Sequence, residues 1–564
     1  MFQKIPQRHL QGEIVIRKLG TSLLALVAIV SAVSVVCQAQ PQTLLTRHVR
    51  EAVLNGAAQP LGRLPATQSL HFDIVLALRN QPALENFLDE LYDPTSASYR
   101  QFVTVQEFTE RFGPSQEDYD ALIAFAKANG FTVVGGSRDA MDAQFMAPVA
   151  NVEKAFHVTM GLYQHPTQNR TFYAPDREPT VDLSIRLWHI SGLDNYSIPR
   201  PALHHQDSTV RANAVKGSCP SSSYCGSDMR AAYYGGTALT GAGQTVGLLE
   251  YYGYDIADVK TYFKNAKQTN KVPIKGVSTD GTSLNCKYPV CDDTEQTIDI
   301  TQAVSMAPGL KDLFVFVGSS DTAILGSMTT HTPLSAQLSS SWTWAPSDPS
   351  TDDPFFEKFA AQGQNYFQAA GDSGKYTSSS SYVWPADSAY VTAVGGTDLQ
   401  ITGPGGAWSS ETAWSDGGGG YFTPDAIPIP AWQKLKGVVT ATNKASKKLR
   451  NSPDVAAEAN FDFYVCADQS ACTANNYGGT SFAAPMWAGY MALVNQQAVA
   501  NGKTTLGFLN PTIYALGVGK TYTTDFHDII GGSNGYSAVK GYDLATGWGS
   551  PNGDGLITAL AATK

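Results

Sequence analysis

Short apolar runs recur along the second part of the chain and alternate with longer, helix-like stretches. The runs are Thr245–Tyr252, Leu313–Val317, Tyr366–Ala370 and Tyr390–Val394, and the helix-like stretches are Thr294–Met306, Pro354–Gln364 and Phe482–Val499. Apolar runs of this length are typical of strands that helices bury on both faces. We therefore predict an α/β fold for residues 217–564, with a mostly parallel sheet whose carboxyl ends collect the reactive groups.

A different pattern fills residues 40–200. Its strand-like stretches are Leu70–Arg79 and Thr132–Val134, and its helical stretches are Pro82–Tyr92, Ser115–Asn129 and a helix that begins at Val152. Elements of this size predict a compact α+β domain. The histidines of this block are scattered and form no catalytic grouping.

Residues 201–216 connect the two patterned blocks. From Ala202 to Lys216 the chain is polar and shows neither helical nor strand periodicity. Such segments are where proteolytic nicking concentrates. We therefore predict an exposed linker that contains a processing site.

The N-terminus has the order of a secretory signal peptide. Basic residues from Lys4 to Lys18 precede an uncharged apolar run, Thr21–Val36, and small residues lead to a cut near Ala39. The run is short for a membrane-spanning helix. We predict a signal peptide at residues 1–39, a secreted protein and no stable membrane association. Acylation of Cys37 is the less favoured alternative, because Val36 is larger than the residue such sites usually hold.

Removing Cys37 with the signal leaves six of the seven cysteines. They form three close pairs, Cys219/Cys225, Cys286/Cys291 and Cys466/Cys472. Local pairs in an exported protein favour loop-closing disulfides. Metal binding is the alternative, and it is weakened because no histidine lies near any pair.

The charge balance excludes one class of partner. The formal net charge is −10 and only 16% of residues are charged. Nucleic-acid binding requires a basic face, and the sequence shows none.

A serine in the string GGTSFAAP could carry chemistry. Ser481 lies at the start of the apolar helix-like run, two residues after Gly479. It could cap the helix with its hydroxyl. It could equally act as a nucleophile exposed at a tight turn, where the helix N-terminus favours developing negative charge. The string alone leaves both interpretations open.

Carboxylates are better candidates than histidine for the base of such a nucleophile. Residues 217–564 contain only His331 and His527. Glu295 and Asp299, four residues apart, would share one face of a helix, where their like charges raise at least one pKa. Asp372, at the end of a predicted strand, could be functional or a turn residue. A glutamate base implies activity in acid, near the usual glutamate pKa of ~4.3.

The tail from Asp528 to Asp543 has two aspartates around a loop rich in glycine and asparagine. Carboxylate and backbone oxygens are ligands that suit Ca²⁺. The spacing is wrong for an EF-hand. An ordinary turn-rich loop is the alternative.

These strings occur together in the sedolisins, or serine-carboxyl peptidases, which the chain resembles. The matching strings are GLLE at 247–250, EQTID at 295–299, SSSW at 339–342, AAGDSG at 369–374, GGTSFAAP at 478–485 and the tail from Asp528 onward. Residues 40–200 resemble the activation prodomain of that family. The resemblance implies a subtilisin-like α/β peptidase domain preceded by a ferredoxin-like prodomain.

The resemblance also implies roles for individual residues. Ser481 would be the nucleophile and Glu295 its general base, with Asp299 as the second carboxylate of the base system. Asp372 would be a protonated acid in the oxyanion hole, because an ionised carboxylate repels an oxyanion. Glu250 and Trp342 would extend the acidic network.

One structural Ca²⁺ is implied, with ligands at Asp528, Ile529, Val539, Gly541 and Asp543. Val539 departs from the glycine usual at that position. The expected partners are protein or peptide substrates and the prodomain itself as an intramolecular inhibitor, in a monomer. The rivals are a subtilisin-type protease that uses His331 and an exported binding protein without turnover. Endopeptidase and tripeptidyl-peptidase activity both stay open.

Overall fold

The computed structural model describes residues 42–206, 216–344, 349–380 and 383–563, and the predicted signal peptide with Cys37 lies outside them. The first block contains the strands β1 (Gln42–Thr43), β2 (Gln59–Arg63), β3 (Ser69–Leu76), β4 (Thr132–Ser137), β5 (Asp142–Pro148), β6 (Met160–Gln164), β7 (Thr171–Pro175), β8 (Thr180–Val181), β9 (Leu187–Ser191), β10 (Arg200–Pro201) and β11 (His204–His205). Its helices are α1 (Glu51–Leu54), α2 (Gln81–Tyr92), α3 (Val105–Arg111), α4 (Gln116–Ala128) and α5 (Val149–Phe156).

The second block is larger. Its strands are β12 (Thr245–Glu250), β13 (Ile274–Ser278), β14 (Asp312–Val317), β15 (Gln337–Ser340), β16 (Trp342–Thr343), β17 (Asn365–Ala369), β18 (Thr392–Ile401), β19 (Trp408–Ala413), β20 (Val455–Glu458), β21 (Tyr464–Val465), β22 (Thr473–Ala474), β23 (Tyr477–Gly478), β24 (Phe526–His527) and β25 (Ser550–Pro551). Its α-helices are α6 (Gly226–Tyr233), α7 (Ile256–Asn265), α8 (Thr294–Met306), α9 (Asp321–Thr330), α10 (Pro349–Ala361), α11 (Thr480–Ala500), α12 (Asn510–Gly517), α13 (Tyr522–Asp525) and α14 (Gly553–Ala562). Two 3₁₀ turns occur at Pro220–Ser222 and Ala431–Lys434.

The first block is built on a four-stranded antiparallel sheet in the order β4-β5-β3-β9. The chain runs from β3 through helices to the β4–β5 pair, then through α5 to β9. This βαββαβ path with the outer strands second and fourth is the ferredoxin-like arrangement, as predicted. Apolar side chains that alternate along β3 bury one face against α4 and α5, where Phe72 contacts Phe131 and Phe156.

The second block is built on a sheet whose strands follow the order β13-β14-β12-β15-β17-β18, and helices pack against it. Both β19 and β20 pair with β18. All pairs are parallel except β18 with β19. The carboxyl ends of β12, β15 and β17 therefore open on the same edge. Helix α11 is buried along most of its length beneath that edge and packs against α8. The predicted α/β class is correct.

Three local predictions need correction. The helix predicted to begin at Val152 begins at Val149 and ends at Phe156, because Pro148 precedes it in extended conformation and His157 adopts left-handed angles. The strand expected at Tyr390–Val394 runs from Thr392 to Ile401. The linker is not simply exposed, since Ala202 is buried and its neighbours form β10 and β11. Residues 207–215 lie outside the described part.

The three predicted disulfides are present. Cys219 joins Cys225, Cys286 joins Cys291, and Cys466 joins Cys472. Each closes a short surface loop of the second block.

The two blocks pack together within one unit, residues 41–564. Tyr92 of α2 donates its hydroxyl to the carbonyl of Ala360 at 2.6 Å and accepts the Phe508 N–H at 2.8 Å. Lys358 of α10 is fully buried and donates to the carbonyl of Asp139. In the described ranges, no helix has both the length and the apolar character needed to cross a membrane.

Candidate active site

Ser481 lies in the first turn of the buried helix α11, at the edge of the sheet. The helix begins at Thr480, and Gly479 occupies the N-cap position. Ser481 therefore does not cap the helix, which removes that interpretation. Its hydroxyl donates to the carbonyl of Ala202 at 2.7 Å. Pro485, the sixth residue of the helix, has no N–H for the carbonyl of Ser481, and Ser341 Oγ lies 3.3 Å from that carbonyl oxygen.

Helix α8 carries the paired carboxylates on the face that packs against α11. Glu295 and Asp299 are both buried, as the spacing of four residues predicts. Burial and the charge of Asp299 raise the pKa of Glu295 well above its usual range, and the neighbouring Ser481 hydroxyl opposes that rise. Ser341 Oγ, just after β15, donates to Asp299 Oδ1 at 2.7 Å.

Glu250 and Trp342 extend this acidic group toward β12. Trp342 Nε1 donates to Glu250 Oε2 at 2.9 Å. Burial raises the pKa of both Glu250 and Asp299 well above the usual range, and the charge of Glu250 raises the pKa of Asp299 further. Glu250 Oε1 and Asp299 Oδ2 are buried without a hydrogen-bond partner among the described residues. Burial therefore favours the protonated forms of this pair.

Asp372 follows β17 and contacts Thr480, the residue that precedes Ser481. Its Oδ1 accepts the backbone N–H of Thr480 at 2.8 Å and the Thr480 hydroxyl at 2.9 Å. Its Oδ2 is buried and has no hydrogen-bond partner among the described residues. Burial raises the pKa of Asp372 well above its usual range. A protonated Oδ2 would be a donor close to the carbonyl oxygen of Ala202, because a Cβ on Gly479 would touch both atoms.

The segment that leaves the first block lies across Ser481 in extended conformation. Arg200 and Pro201 pair antiparallel with β16, and His204 and His205 pair antiparallel with β23. Between these pairs, the carbonyl of Ala202 accepts both the hydroxyl and, at 3.2 Å, the backbone N–H of Ser481. The peptide bond between Ala202 and Leu203 is therefore presented to Ser481.

Glycine at position 479 makes this approach possible. A Cβ on Gly479 would lie 2.3 Å from the carbonyl oxygen of Ala202 and 2.7 Å from Asp372 Oδ2. Either contact is too short for any side chain, so the glycine leaves room for a peptide backbone beside the acid.

The two histidines of the second block are engaged elsewhere. His331 packs on the ring of Phe314, with centroids 4.3 Å apart, and its Nδ1 lies 3.1 Å from the carbonyl of Pro333. His527 stacks on Trp408 at 4.0 Å, and burial lowers its pKa to about 4. Neither ring hydrogen-bonds to Ser481. In addition, none of the four buried carboxyl groups forms an ion pair with a described basic side chain.

The predicted calcium ligands also come together. Asp528 Oδ1 accepts the N–H of Gly541 at 3.0 Å, and Asp543 Oδ2 accepts the N–H of Val539 at 2.8 Å. The backbone carbonyls of Ile529, Val539 and Gly541 accept no hydrogen bond from a described residue. Two carboxylates and three open carbonyls form an oxygen donor set that fits Ca²⁺. Across the described ranges, no group of three or more His, Cys, Asp or Glu residues could hold a metal, so a cation here needs the backbone oxygens.

Two family profiles match this chain, one in each block. The family profile "Pro-kumamolisin, activation domain" matches residues 57–196, and the profile "Subtilase family" matches residues 315–522. Kumamolisin from Bacillus sp. (strain MN-32) is 30% identical over 552 residues, which cover 92% of this chain and 96% of that protein. The chain belongs to the sedolisin family of serine-carboxyl peptidases. As a member of this family, it is a serine-type peptidase with an activation prodomain.

Other sedolisins agree with this assignment. Sedolisin from Pseudomonas sp. (strain 101) is 27% identical over 547 residues, covering 89% of this chain and 88% of that protein. A solved structure of Pseudomonas sedolisin, complexed with two molecules of pseudo-iodotyrostatin, matches with a TM-score of 0.51 at 26% identity. The match covers 61% of this chain and 98% of the sedolisin chain.

Sequence reasoning missed three contributors to the site. Ser341 supports Asp299, Thr480 holds Asp372, and Ala202 occupies the cleft. Ser341 and Thr480 lie inside the strings SSSW and GGTSFAAP, which was the only available signal. Nothing in the polar linker indicated that Ala202 would reach Ser481.

Proposed function

We propose that this chain is the zymogen of a secreted peptidase that works in acid and cleaves its own linker after Ala202. The observation that carries the proposal is the position of the Ala202 carbonyl, which accepts two hydrogen bonds from Ser481 while the linker pairs with strands on both sides. A bound substrate would adopt this arrangement in a serine peptidase. The prodomain, through this linker, would act as an intramolecular inhibitor.

Three buried groups act directly in the proposed mechanism. Ser481 Oγ attacks the carbonyl carbon while its proton moves to Glu295, which must be ionised at that moment. The Ser481 N–H and the protonated Asp372 stabilise the oxyanion. Glu295 then returns the proton to the leaving amine, which gives an acyl-enzyme on Ser481. Water, deprotonated by Glu295, attacks the ester, and the proton returns to Ser481 as the acid leaves.

Two opposed protonation requirements set the limits of the working pH range. The site contains four buried carboxyl groups without an ion-pair partner among the described basic residues, those of Glu250, Glu295, Asp299 and Asp372. Burial penalises each negative charge, so the state with few ionised groups is the stable one. Activity should rise as Glu295 loses its proton and fall as Asp372 loses its own. Burial raises both pKa values, so the rise in activity with ionisation of Glu295 and its fall with ionisation of Asp372 both lie at higher pH than the usual pKa of a carboxyl group.

Self-processing provides the direct test of this proposal. The purified full-length chain, incubated at about pH 4, is expected to yield a fragment whose N-terminal residue is Leu203, whereas Ser481→Ala stays intact. N-terminal sequencing identifies the cut, and a peptide-library digest separates endopeptidase from tripeptidyl-peptidase activity. His331→Ala is the matched control and should process normally. An intact wild type that also leaves denatured protein uncut would favour the non-catalytic alternative.

We further propose one structural Ca²⁺ at the loop of residues 528–543. Asp528 and Asp543 would bind it with the carbonyls of Ile529, Val539 and Gly541. The ion would neutralise the two carboxylates and hold the loop, and it would take no part in the reaction.

Chelation is therefore expected to destabilise the protein. A ligand present at 100 times its Kd stabilises by about 2.7 kcal/mol, which corresponds to a Tm shift of roughly 5–10 °C. Scanning calorimetry of the Ser481→Ala zymogen with EDTA and with excess Ca²⁺ measures the shift. Asp528→Asn should abolish the response, and Asp554→Asn, at an exposed aspartate, should retain it. An unchanged Tm on chelation would contradict the site.

A further inference from the structure

The linker is held well beyond the bond presented to Ser481. His204 pairs with Gly478 and His205 with Tyr477. The next residue, Gln206, donates its N–H to the carbonyl of Asn476 at 2.9 Å and accepts the Asn476 side-chain amide at 3.2 Å. The backbone is therefore fixed through the fourth residue after the bond, counting Leu203 as the first.

Side chains alternate along this strand between the two walls of the cleft. The ring of His205 lies against that of Tyr477, with centroids 4.7 Å apart. Gln206 points to the opposite wall, where its side chain lines a cavity of about 320 Å³. The cavity is otherwise lined by Asp398, Ala413, Trp414, Ser415, Asp416, Asn460 and Phe461.

Two carboxylates give the cavity its charge. Asp398 Oδ2 accepts the Asn460 amide at 2.9 Å, and Asp416 Oδ1 accepts the Ser415 hydroxyl at 3.0 Å. Both are neutral donors, and neither carboxylate forms an ion pair with a basic side chain in the described part of the chain. Gln206, the linker residue that lines this acidic cavity, is uncharged.

The apolar part of the cavity suits a long side chain. The rings of Trp414 and Phe461 lie 5.9 Å apart, centroid to centroid, and are largely buried. Lysine and arginine bury their methylene stems on such surfaces while the cationic end remains near carboxylates. An aromatic ring also attracts a cation above its face.

We propose that this cavity selects substrates with lysine or arginine at the fourth residue after the cleaved bond. The inference rests on the proposed function, because it names a substrate preference of the same cleft. The linker places an uncharged glutamine at the wall of this cavity, and a foreign substrate with a basic residue at that position would extend its cation into the cavity.

A peptide series tests the preference on the mature enzyme. Four quenched peptides share the sequence Arg-Pro-Ala-Leu-His-His and differ only in the next residue, which is lysine, glutamine, glutamate or norleucine. At about pH 5 and low salt, kcat/KM should be about tenfold higher for lysine than for glutamate, and norleucine should resemble glutamine. The lysine-to-glutamate ratio should fall with added NaCl, because salt screens exposed charges.

Substitution of the two cavity aspartates shows whether the cavity causes the preference for lysine. Asp416→Asn and Asp398→Asn should each bring the lysine-to-glutamate ratio several-fold closer to one, and Asp554→Asn should leave it unchanged. The ratio is the right readout because the charge of Asp416 also raises the pKa of Asp372, so absolute rates can change. Equal cleavage of the lysine and glutamate peptides, or a ratio that neither cavity variant alters, overturns the inference while the peptidase function stands. Failure to cleave all four peptides overturns the proposed function and the inference with it.

Discussion

Glu295→Gln is expected to lower kcat by about 10³- to 10⁴-fold, because the amide cannot take the proton of Ser481. The substitution keeps the size of the side chain in a fully packed position. It also removes a group whose charged form is penalised by burial, so the variant should fold. The measurement is the self-cleavage rate of the full-length chain at about pH 4, together with kcat on peptides.

Asp299→Asn is the control for a general loss of polarity. Burial and the charge of Glu250 raise the pKa of Asp299, so the amide variant replaces a side chain whose neutral form is already favoured. We expect a smaller decrease than for Glu295→Gln. Near wild-type self-cleavage by Glu295→Gln would exclude Glu295 as the base.

The free energy of unfolding of Glu295→Gln should also depend less on pH than that of the wild type. The pKa of Glu295 is raised in the folded protein, so its contribution to stability is fully present below the unfolded pKa and is lost as pH rises through the folded pKa. Removing the titrating group removes this loss. Unfolding in urea at acid and neutral pH measures the difference.

Asp372→Ala is expected to lower kcat by about 10²- to 10³-fold, through loss of an oxyanion donor. Asp372→Asn should lose much less, because an amide N–H₂ can donate from the same position without titrating. The wild-type rate should fall as pH rises through the pKa of Asp372, and the asparagine variant should lack that alkaline limb. Full pH profiles of kcat for the three proteins provide the measurement.

Two outcomes would contradict this role. An alkaline limb that persists in Asp372→Asn would assign it to another group. Equal activity of the alanine and asparagine variants would mean that residue 372 donates no hydrogen bond to the reacting oxygen. The affinity for a peptide aldehyde of substrate-like sequence offers a second readout, because addition of Ser481 to the aldehyde forms a tetrahedral adduct with the same oxyanion.

Local pattern explains how much of this site could be predicted. Glu295 and Asp299 share a face because positions four apart do so in any α-helix, and the apolar residues around them already indicated burial. The buried strands β12, β14 and β17 stood out as apolar runs that no helix period explains. Strand β15 was missed because its sequence, Gln337–Ser340, is mostly polar although all four residues are buried.

Contacts between distant parts of the chain could not be predicted. Ala202 and Ser481 are 279 residues apart, and their contact depends on two free strand edges that meet the linker. Backbone pairing at an edge requires no particular side chains, so a segment with no periodicity of its own becomes ordered there. The same reason explains why the polar linker was interpreted as exposed.

The attachment of the linker to the cleft has a kinetic consequence. A tethered segment competes for the site at an effective concentration of about millimolar, whatever the dilution of the protein. Self-cleavage is then first order, with a half-time independent of protein concentration. After the cut, β16 still holds the linker segment before the cleaved bond, and β23 holds the segment after it. Foreign peptides reach Ser481 only when these two segments dissociate. Activity on added substrate should therefore begin with a lag whose length dilution does not change.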